Sequence, residues 1–269
     1  VTSTLDAPRP VAQRYGLLSV PGVLPEERRL RWANGVNTFG FPTQMPWTWD
    51  PCSEGTFRVK SEESDISSER FDPFGIGLTV TCSRLGAPAD LRDRLRAAFD
   101  ATLSWAVERA VSQGSEVTSN GSLGDTNLTI LGGGAVTPDV GLSWLENSIG
   151  EKGVRGIIHA PSPVVSAWGF EKVRVEGDHL VSPNGNFVAA GGGYIGADPA
   201  AGTSPAAGQS WAFATAGLEV RLTEPTIVGN EAESLDRALN DLVFRVESTA
   251  LATWDAEVVQ AGVLIDWTP

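Results

Sequence analysis

Between residues 88 and 114 the chain reads PADLRDRLRAAFDATLSWAVERAVSQG, and its apolar positions recur every three or four residues. Leu91, Leu95, Ala98, Phe99, Leu103, Ala106, Val107, Ala110 and Val111 form one stripe, the pattern of a helix with one face in a core. Pro88 suits a first turn and Gly114 suits a stop. A helix over 88–113 would be ~39 Å long at 1.5 Å per residue, enough to run the length of a sheet. The stripe by itself implies core packing and no site.

Other segments carry shorter signals. In IGLTVTC, Ile76, Leu78, Val80 and Cys82 alternate with Gly or Thr, which predicts a half-buried strand. Two further helices are predicted, one from Thr137-Pro138 to just before Gly150 and one from Ser162-Pro163 to Gly169. Each opens with a hydroxyl residue followed by proline, a capping arrangement. Leu142, Leu145 and Ile149 face inward in the first. GVRGIIHA between them reads as a buried strand. EKVRVEGDHLVSPNGNFVAA predicts short strands turning at Glu176-Gly177-Asp178 and again at Asn184-Gly185. Leu218, Val220 and Leu222 alternate in another strand, EAESLDRALNDL predicts a short helix, and VFRVESTALATWDAEVVQAGVLIDW predicts two antiparallel strands. No repeat of fixed period is visible.

Two stretches do not read as parts of a compact core. Residues 1–26 hold prolines at 8, 10, 21 and 25, which forbid regular helix. Yet YGLLSVPGVL within them is too apolar to float free, so this arm is expected to lie on a surface, its own or a neighbour's. RRLRWANGVNTFGF then suggests strand around a turn at Asn34-Gly35. The following PTQMPWTWDPCSEGTFRVKSEESDISSERFDPF is polar, acidic and without a clear core face. Loops longer than about 15 residues are usually functional or disordered, and a long hairpin projecting from the body fits this one.

Composition adds limits. The 269 residues are 41% hydrophobic and 20% charged, as in a soluble globular protein. No run of 18 apolar residues exists, so no membrane span is expected. The first residues lack the basic start and apolar core of a signal peptide, and intracellular synthesis is the expectation. The net charge of −13 argues against wrapping free nucleic acid, which needs phosphate neutralisation by Lys and Arg. Residues 1–34 carry five arginines against three acids, a surplus of +2, so the remainder carries −15. Cys52 and Cys82 match no zinc or disulfide pattern. Two reduced thiols are expected, with pairing left open to a hairpin that brings them together.

Catalytic chemistry is sparse. His159 ends an apolar strand and is expected to be a satisfied structural residue, while His179 is expected to be exposed in a hairpin. No nucleophile elbow, zinc-protease, Walker or C-x-x-C motif occurs. The acidic run Glu62, Glu63, Asp65, Glu69 and Asp72 reads as a solvated face. No catalytic, cofactor or metal residue is assigned. Gly191, Gly193 and Gly196 fit the G-x-G-x-x-G spacing, but a dinucleotide site needs a helix opening at the third glycine. ADPAAGTSPAAG follows instead, which reads as a loop. The glycines are therefore expected to end a strand and turn the chain.

An apolar arm, a projecting hairpin, one long helix and a glycine-rich lobe before the last strands describe an assembly subunit. Their order resembles the major capsid proteins of tailed bacteriophages, the Hong Kong 97-type capsid fold. RGIIHAPSPVVSAW, LVSPNGNFVAAGGGY, SWAFATAGLEVRLTE and SLDRALNDLVFRVESTALATWDAEVVQAGVLID are similar to stretches of actinobacterial phage capsid proteins. The resemblance implies an α+β fold with an N-terminal arm and first strand over 1–40 and an extended loop over 41–75. A peripheral domain with the spine helix would cover 76–130, an axial domain 131–214, and peripheral return strands 215–269. It implies a non-enzymatic subunit of an icosahedral virion shell, assembled in the bacterial host cytoplasm from hexamers and pentamers around double-stranded DNA that it touches weakly and without specificity. Portal, scaffold and decoration proteins are further conceivable partners. Subunit contacts would fall on Tyr15, Leu17 and Leu18 of the arm, on Trp47, Trp49 and Phe57 of the loop, and on Gly192 and Tyr194 of the axial turn. Some family members crosslink a loop lysine to a neighbour's asparagine; Lys60 is the lysine in the loop here, and no motif identifies a partner. An encapsulin-like compartment shell and another virion part, such as a tail or decoration protein, stay open as alternatives.

Overall fold

The computed structural model describes residues 10–26, 36–39, 68–83, 90–114, 122–124, 128–195, 205–228, 235–236, 241–255 and 258–268. In chain order the elements are β1 (Val23–Glu26), β2 (Val36–Phe39), β3 (Ser68–Phe71), β4 (Phe74–Ser83), α1 (Leu91–Gln113), β5 (Thr129–Ile130) and α2 (Pro138–Gly150). They continue as β6 (Ile157–Pro161), α3 (Ser162–Lys172), β7 (Arg174–Glu176), β8 (His179–Val181), β9 (Phe187–Gly191) and β10 (Gln209–Thr215). The last are β11 (Leu218–Thr223), β12 (Thr226–Val228), β13 (Leu235–Asp236), β14 (Asp241–Trp254) and β15 (Gln260–Asp266). Trp47, Trp49, Cys52, Phe57, Lys60 and the turn at Asn34-Gly35 lie outside the described residues.

Two sheets organise the chain, with β2 and β3 forming a separate antiparallel pair. The first has six strands built on β14. One edge of β14 pairs with β4 over Asp241–Ala250, and the other takes β13, β12 and β11 in turn. β1 adds to β11 in parallel. The alternation of β4 appears as expected: Ile76, Leu78, Val80 and Cys82 are half-buried while Gly75, Gly77, Thr79 and Thr81 are exposed. On that half-buried face lies the N-terminal half of α1, where Leu95 and Phe99 meet Phe244 and Val246.

The second sheet has seven strands in the order β5-β15-β10-β6-β9-β8-β7. β6 and β9 are parallel, so a crossover must join them, and α3 is part of it. Strand alternation divides the core in two. Ile157, Ala189, Trp211 and Phe213 face α1 and the arm, where Leu17, Val20, Val107, Val111 and Tyr194 pack. Ile158, Ala160, Val188, Ala190, Ala212 and Ala214 face the other way, against Leu142, Leu145, Ile149, Val164 and Trp168 of α2 and α3.

Thr137 and Pro161 are the N-caps of α2 and α3, and neither makes a side-chain capping bond. Ser162 is thus the first helical residue rather than the cap. α3 breaks at Gly169, whose φ of 69° interrupts the helix, close to the stop expected there. The short helix expected over EAESLDRALNDL is not formed at its described positions. Leu235 and Asp236 pair with Leu242 and Asp241 in the sheet, and Leu242 packs on the cluster around Phe99, so tertiary pairing overrides local propensity. The last two strands do not pair with each other. β14 belongs to the first sheet and β15 to the second, beside β10. Residues 260–266 therefore pair with β10 and β5 and not with strands of the first sheet. Val263 and Ile265 explain this, since both are fully buried against α2's face of that sheet.

Phe99 is 1% exposed. Phe99→Ala should cost ~3–5 kcal/mol, as for a core phenylalanine. Urea unfolding of the variant checks this, and a loss below ~1 kcal/mol would show that the helix does not seal the sheet.

Candidate functional site: the arm seated on the long helix

The arm crosses three separate elements, and each supplies hydrogen bonds that the arm cannot make for itself. At the second sheet, β8 pairs with β9 only up to Val188, which leaves the backbone of Ala190 open on that side. The arm fills it: Ala190 N–H donates to Tyr15 O at 2.7 Å, and Gln13 Nε2 donates to Ala190 O at 2.8 Å. Gln13 Nε2 also reaches Ser162 Oγ at 2.8 Å. A single 3-10 turn follows over Leu17–Ser19, and His179 Nδ1 donates to Ser19 O at 2.6 Å. Beyond Gly22, whose φ is 113°, β1 joins the edge of the first sheet, with Val220 N–H donating to Gly22 O at 2.9 Å.

Between the two sheets the arm sits on α1. Ser104, Glu108 and Ser112 lie four residues apart and are all buried, a polar ridge beside the apolar stripe. Glu108 is 1% exposed. Its Oε1 accepts from Leu17 N–H at 2.9 Å and from Ser104 Oγ at 2.9 Å; its Oε2 accepts from Gly193 N–H at 3.0 Å. Leu18 N–H points at Ser104 Oγ at 3.4 Å, and Ser112 Oγ donates to Gly193 O at 3.1 Å. Burial raises the Glu108 carboxyl above its usual 4.5, opposed by the hydrogen bonds from Leu17, Gly193 and Ser104. A buried charge is costly unless well bonded, and here donors from three segments converge on it.

The glycines at 191 and 193 are there for close approach. Neither has a positive φ, so neither is needed to turn the chain. A Cβ on Gly191 would collide with the Glu108 carboxylate, and one on Gly193 would lie 2.5 Å from Glu108 Cβ and from the carbonyl oxygen of Trp105. The amide that a dinucleotide site would offer to phosphate is taken by the chain's own carboxylate. Next to it, Tyr194 is fully buried, and its OH lies 3.1 Å from His159 Nδ1. His159 Nε2 lies 3.0 Å from Thr215 Oγ1. Burial lowers the imidazole to about 3, so His159 is neutral at ordinary pH. Burial, and then the charge of Glu108, push the Tyr194 phenol well above its usual value. This row holds β6, β10 and the glycine turn together and presents no reactive group to solvent.

No family model matches the chain, and neither does any curated protein. Solved structures do. The SrpI encapsulin complex of Synechococcus elongatus PCC 7942 superposes with a TM-score of 0.58 at 11% identity, over 100% of this chain and 92% of that one. The capsid of an empty GTA particle gives 0.58 at 11%, over 100% and 95%. A structure from Mycobacterium phage Che8 gives 0.56 at 12%, over 99% and 96%. The chain has the Hong Kong 97-type capsid fold. In that fold's terms α1 is the spine helix, and the polar ridge of the spine helix is where the N-terminal arm is held.

The residues assigned to subunit contacts divide accordingly. Leu17 is 1% exposed and Tyr194 is fully buried within their own subunit, so neither offers side-chain surface to a neighbour. Tyr15 and Leu18 are half-buried against it. Gly192 lies beside Trp105 of the spine helix, and the turn it belongs to rests on that helix. Trp47, Trp49 and Phe57 lie outside the described residues. His179, expected in solvent, is half-buried because it binds the arm. Sequence reasoning missed Glu108, Ser104 and Gln13. The four-residue spacing of Ser104, Glu108 and Ser112 along the flank of an apolar stripe was the available signal.

Gly191→Ala should cost ~1–3 kcal/mol, as overpacking does in a close-packed site, because the new methyl meets Glu108. Gly133→Ala, where nothing lies within 4 Å of an added Cβ, should be near neutral. Thermal melts of the two variants compare them directly; equal shifts would mean that the turn does not press on the helix.

Proposed function

We propose that this chain is the structural subunit of an icosahedral shell that encloses phage double-stranded DNA. The observation that carries the reading is the match of the whole chain to shell-forming proteins, over at least nine-tenths of their own lengths. The subunit assembles with copies of itself into hexamers and pentamers, without catalysis. The mildly basic arm and the acidic remainder suit a container that does not grip its contents, since tight binding needs phosphate neutralisation. Weak contact with DNA and encounters with portal, scaffold or decoration proteins belong to the same proposal.

The match to an encapsulin complex favours a second reading, a compartment shell that holds protein cargo. The two differ in contents. Electron microscopy of the purified native assembly, followed by extraction of nucleic acid and protein, separates them: closed shells with DNA support the first, closed shells with cargo protein the second. Rods or unassembled subunits would overturn both.

Neighbour contacts are proposed for Trp47, Trp49 and Phe57, because tryptophan is enriched among the residues that carry binding energy at interfaces. Deleting residues 46–68 should leave a soluble, folded subunit that no longer closes a shell. Intact particles from the deleted chain would remove this role.

A further inference from the structure

We infer that the arm strap, residues 13–20, and the glycine turn, residues 191–195, open and close as one latch with Glu108 as the shared joint. The inference concerns the subunit alone and does not depend on the shell reading.

The geometry makes the coupling direct. The two oxygens of one carboxylate are divided between the segments, Oε1 to Leu17 N–H and Oε2 to Gly193 N–H. Neither segment is otherwise well bonded to α1. The strap adds the long contact from Leu18 N–H to Ser104 Oγ, and the turn adds the bond from Ser112 Oγ to Gly193 O. The segments also meet on the far side, where Tyr15 O accepts from Ala190 N–H, one residue before the turn begins. Ser104, the helix side chain bonded to the joint, is uncharged, and burial keeps the Tyr194 phenol of the turn neutral.

Release is physically accessible for the same reason. Seating the strap removes a carboxylate from water, and that desolvation opposes closure. Lifting the strap exposes Leu17 and Val20, 1% and 5% exposed when it is seated, but it also rehydrates the charge, which offsets part of that cost and lets this edge segment open separately from the sheets, as locally unfolding units do. Once the strap has left, water enters at Oε1, and the turn loses the dry setting that strengthens its own bond to Oε2. Coupling of this kind is reciprocal: loosening the turn must loosen the strap by the same factor.

Two small substitutions test both directions in the full chain. Leu17→Ala loosens the strap by removing its buried side chain and leaves Glu108 and its donors in place; Gly16→Ala would not serve, because its new methyl meets Ser104 Oγ and Glu108 Oε1. Ser112→Ala loosens the turn by removing the bond from Ser112 Oγ to Gly193 O and leaves Glu108 and the strap untouched. Amide hydrogen exchange is followed at Leu17, Leu18, Ala190, Gly193 and Ile195, with Ile158 and Ala212 in the sheet as references. Leu17→Ala should speed exchange at Gly193 and Ile195 by ~5-fold or more, and Ser112→Ala should do the same at Leu17 and Leu18, the lower end of ordinary coupling. Where Leu17→Ala does not fold, Gln13→Ala loosens the strap by removing its bonds to Ala190 O and Ser162 Oγ, and the same readout applies. Acceleration confined to the loosened segment overturns the inference. So does equal acceleration at Ile158 and Ala212, which would mean that strap and turn open only with the whole subunit.

Discussion

A carboxylate that is almost wholly out of water must be surrounded by donors, and in this chain the donors come from places far apart in sequence. Glu108 binds Leu17 N–H, 91 residues upstream, and Gly193 N–H, 85 residues downstream. Satisfying that one group fixes where the arm crosses the spine helix and how closely the glycine turn approaches it. The rest follows from these two constraints. With the arm at Leu17, its earlier residues reach the open edge at Ala190, and its later ones become an edge strand of the other sheet. The arm is thus hydrogen-bonded to both sheets and to the helix between them.

A proline-rich arm suits this work. Its prolines at 10, 21 and 25 flank the seated stretch and forbid regular helix there, while residues 11–20 carry none and keep their N–H groups for bonding. Its apolar residues, Leu17 and Val20, enter the cluster that also contains Val107, Trp211 and Phe213. The subunit therefore carries its arm as part of its own core. Exposed apolar side chains remain on the arm, at Val11, which is 90% exposed, and away from it, for example at Phe170, which is 87% exposed.

What could be read from the sequence was local. The stripe of α1, the alternation of β4, the two turns around β8 and the ends of α2 each depend on residues a few positions apart, and each appears close to where its pattern placed it. The fold class was legible through the order of those elements. Long-range choices were not. Nothing in AGVLIDW says that β15 pairs with β10 rather than with β14, because both faces of that strand are apolar. The glycines near 191 were visible, but their purpose was not: a collision with Glu108 depends on a helix 80 residues away. The arm was recognised as needing a surface, and the surface turned out to be its own helix. His179 was misplaced in solvent for the same reason, since its partner is the carbonyl of Ser19.

The central claim is that the arm stabilises its own subunit. Leu17→Ala tests it with a single substitution, measured by urea unfolding of the isolated, unassembled chain. A core leucine truncated to alanine costs ~2–5 kcal/mol, and that loss is the expected result. An isolated subunit that unfolds at the same urea concentration with and without the Leu17 side chain would contradict the account, because the arm's contribution would then lie outside its own fold.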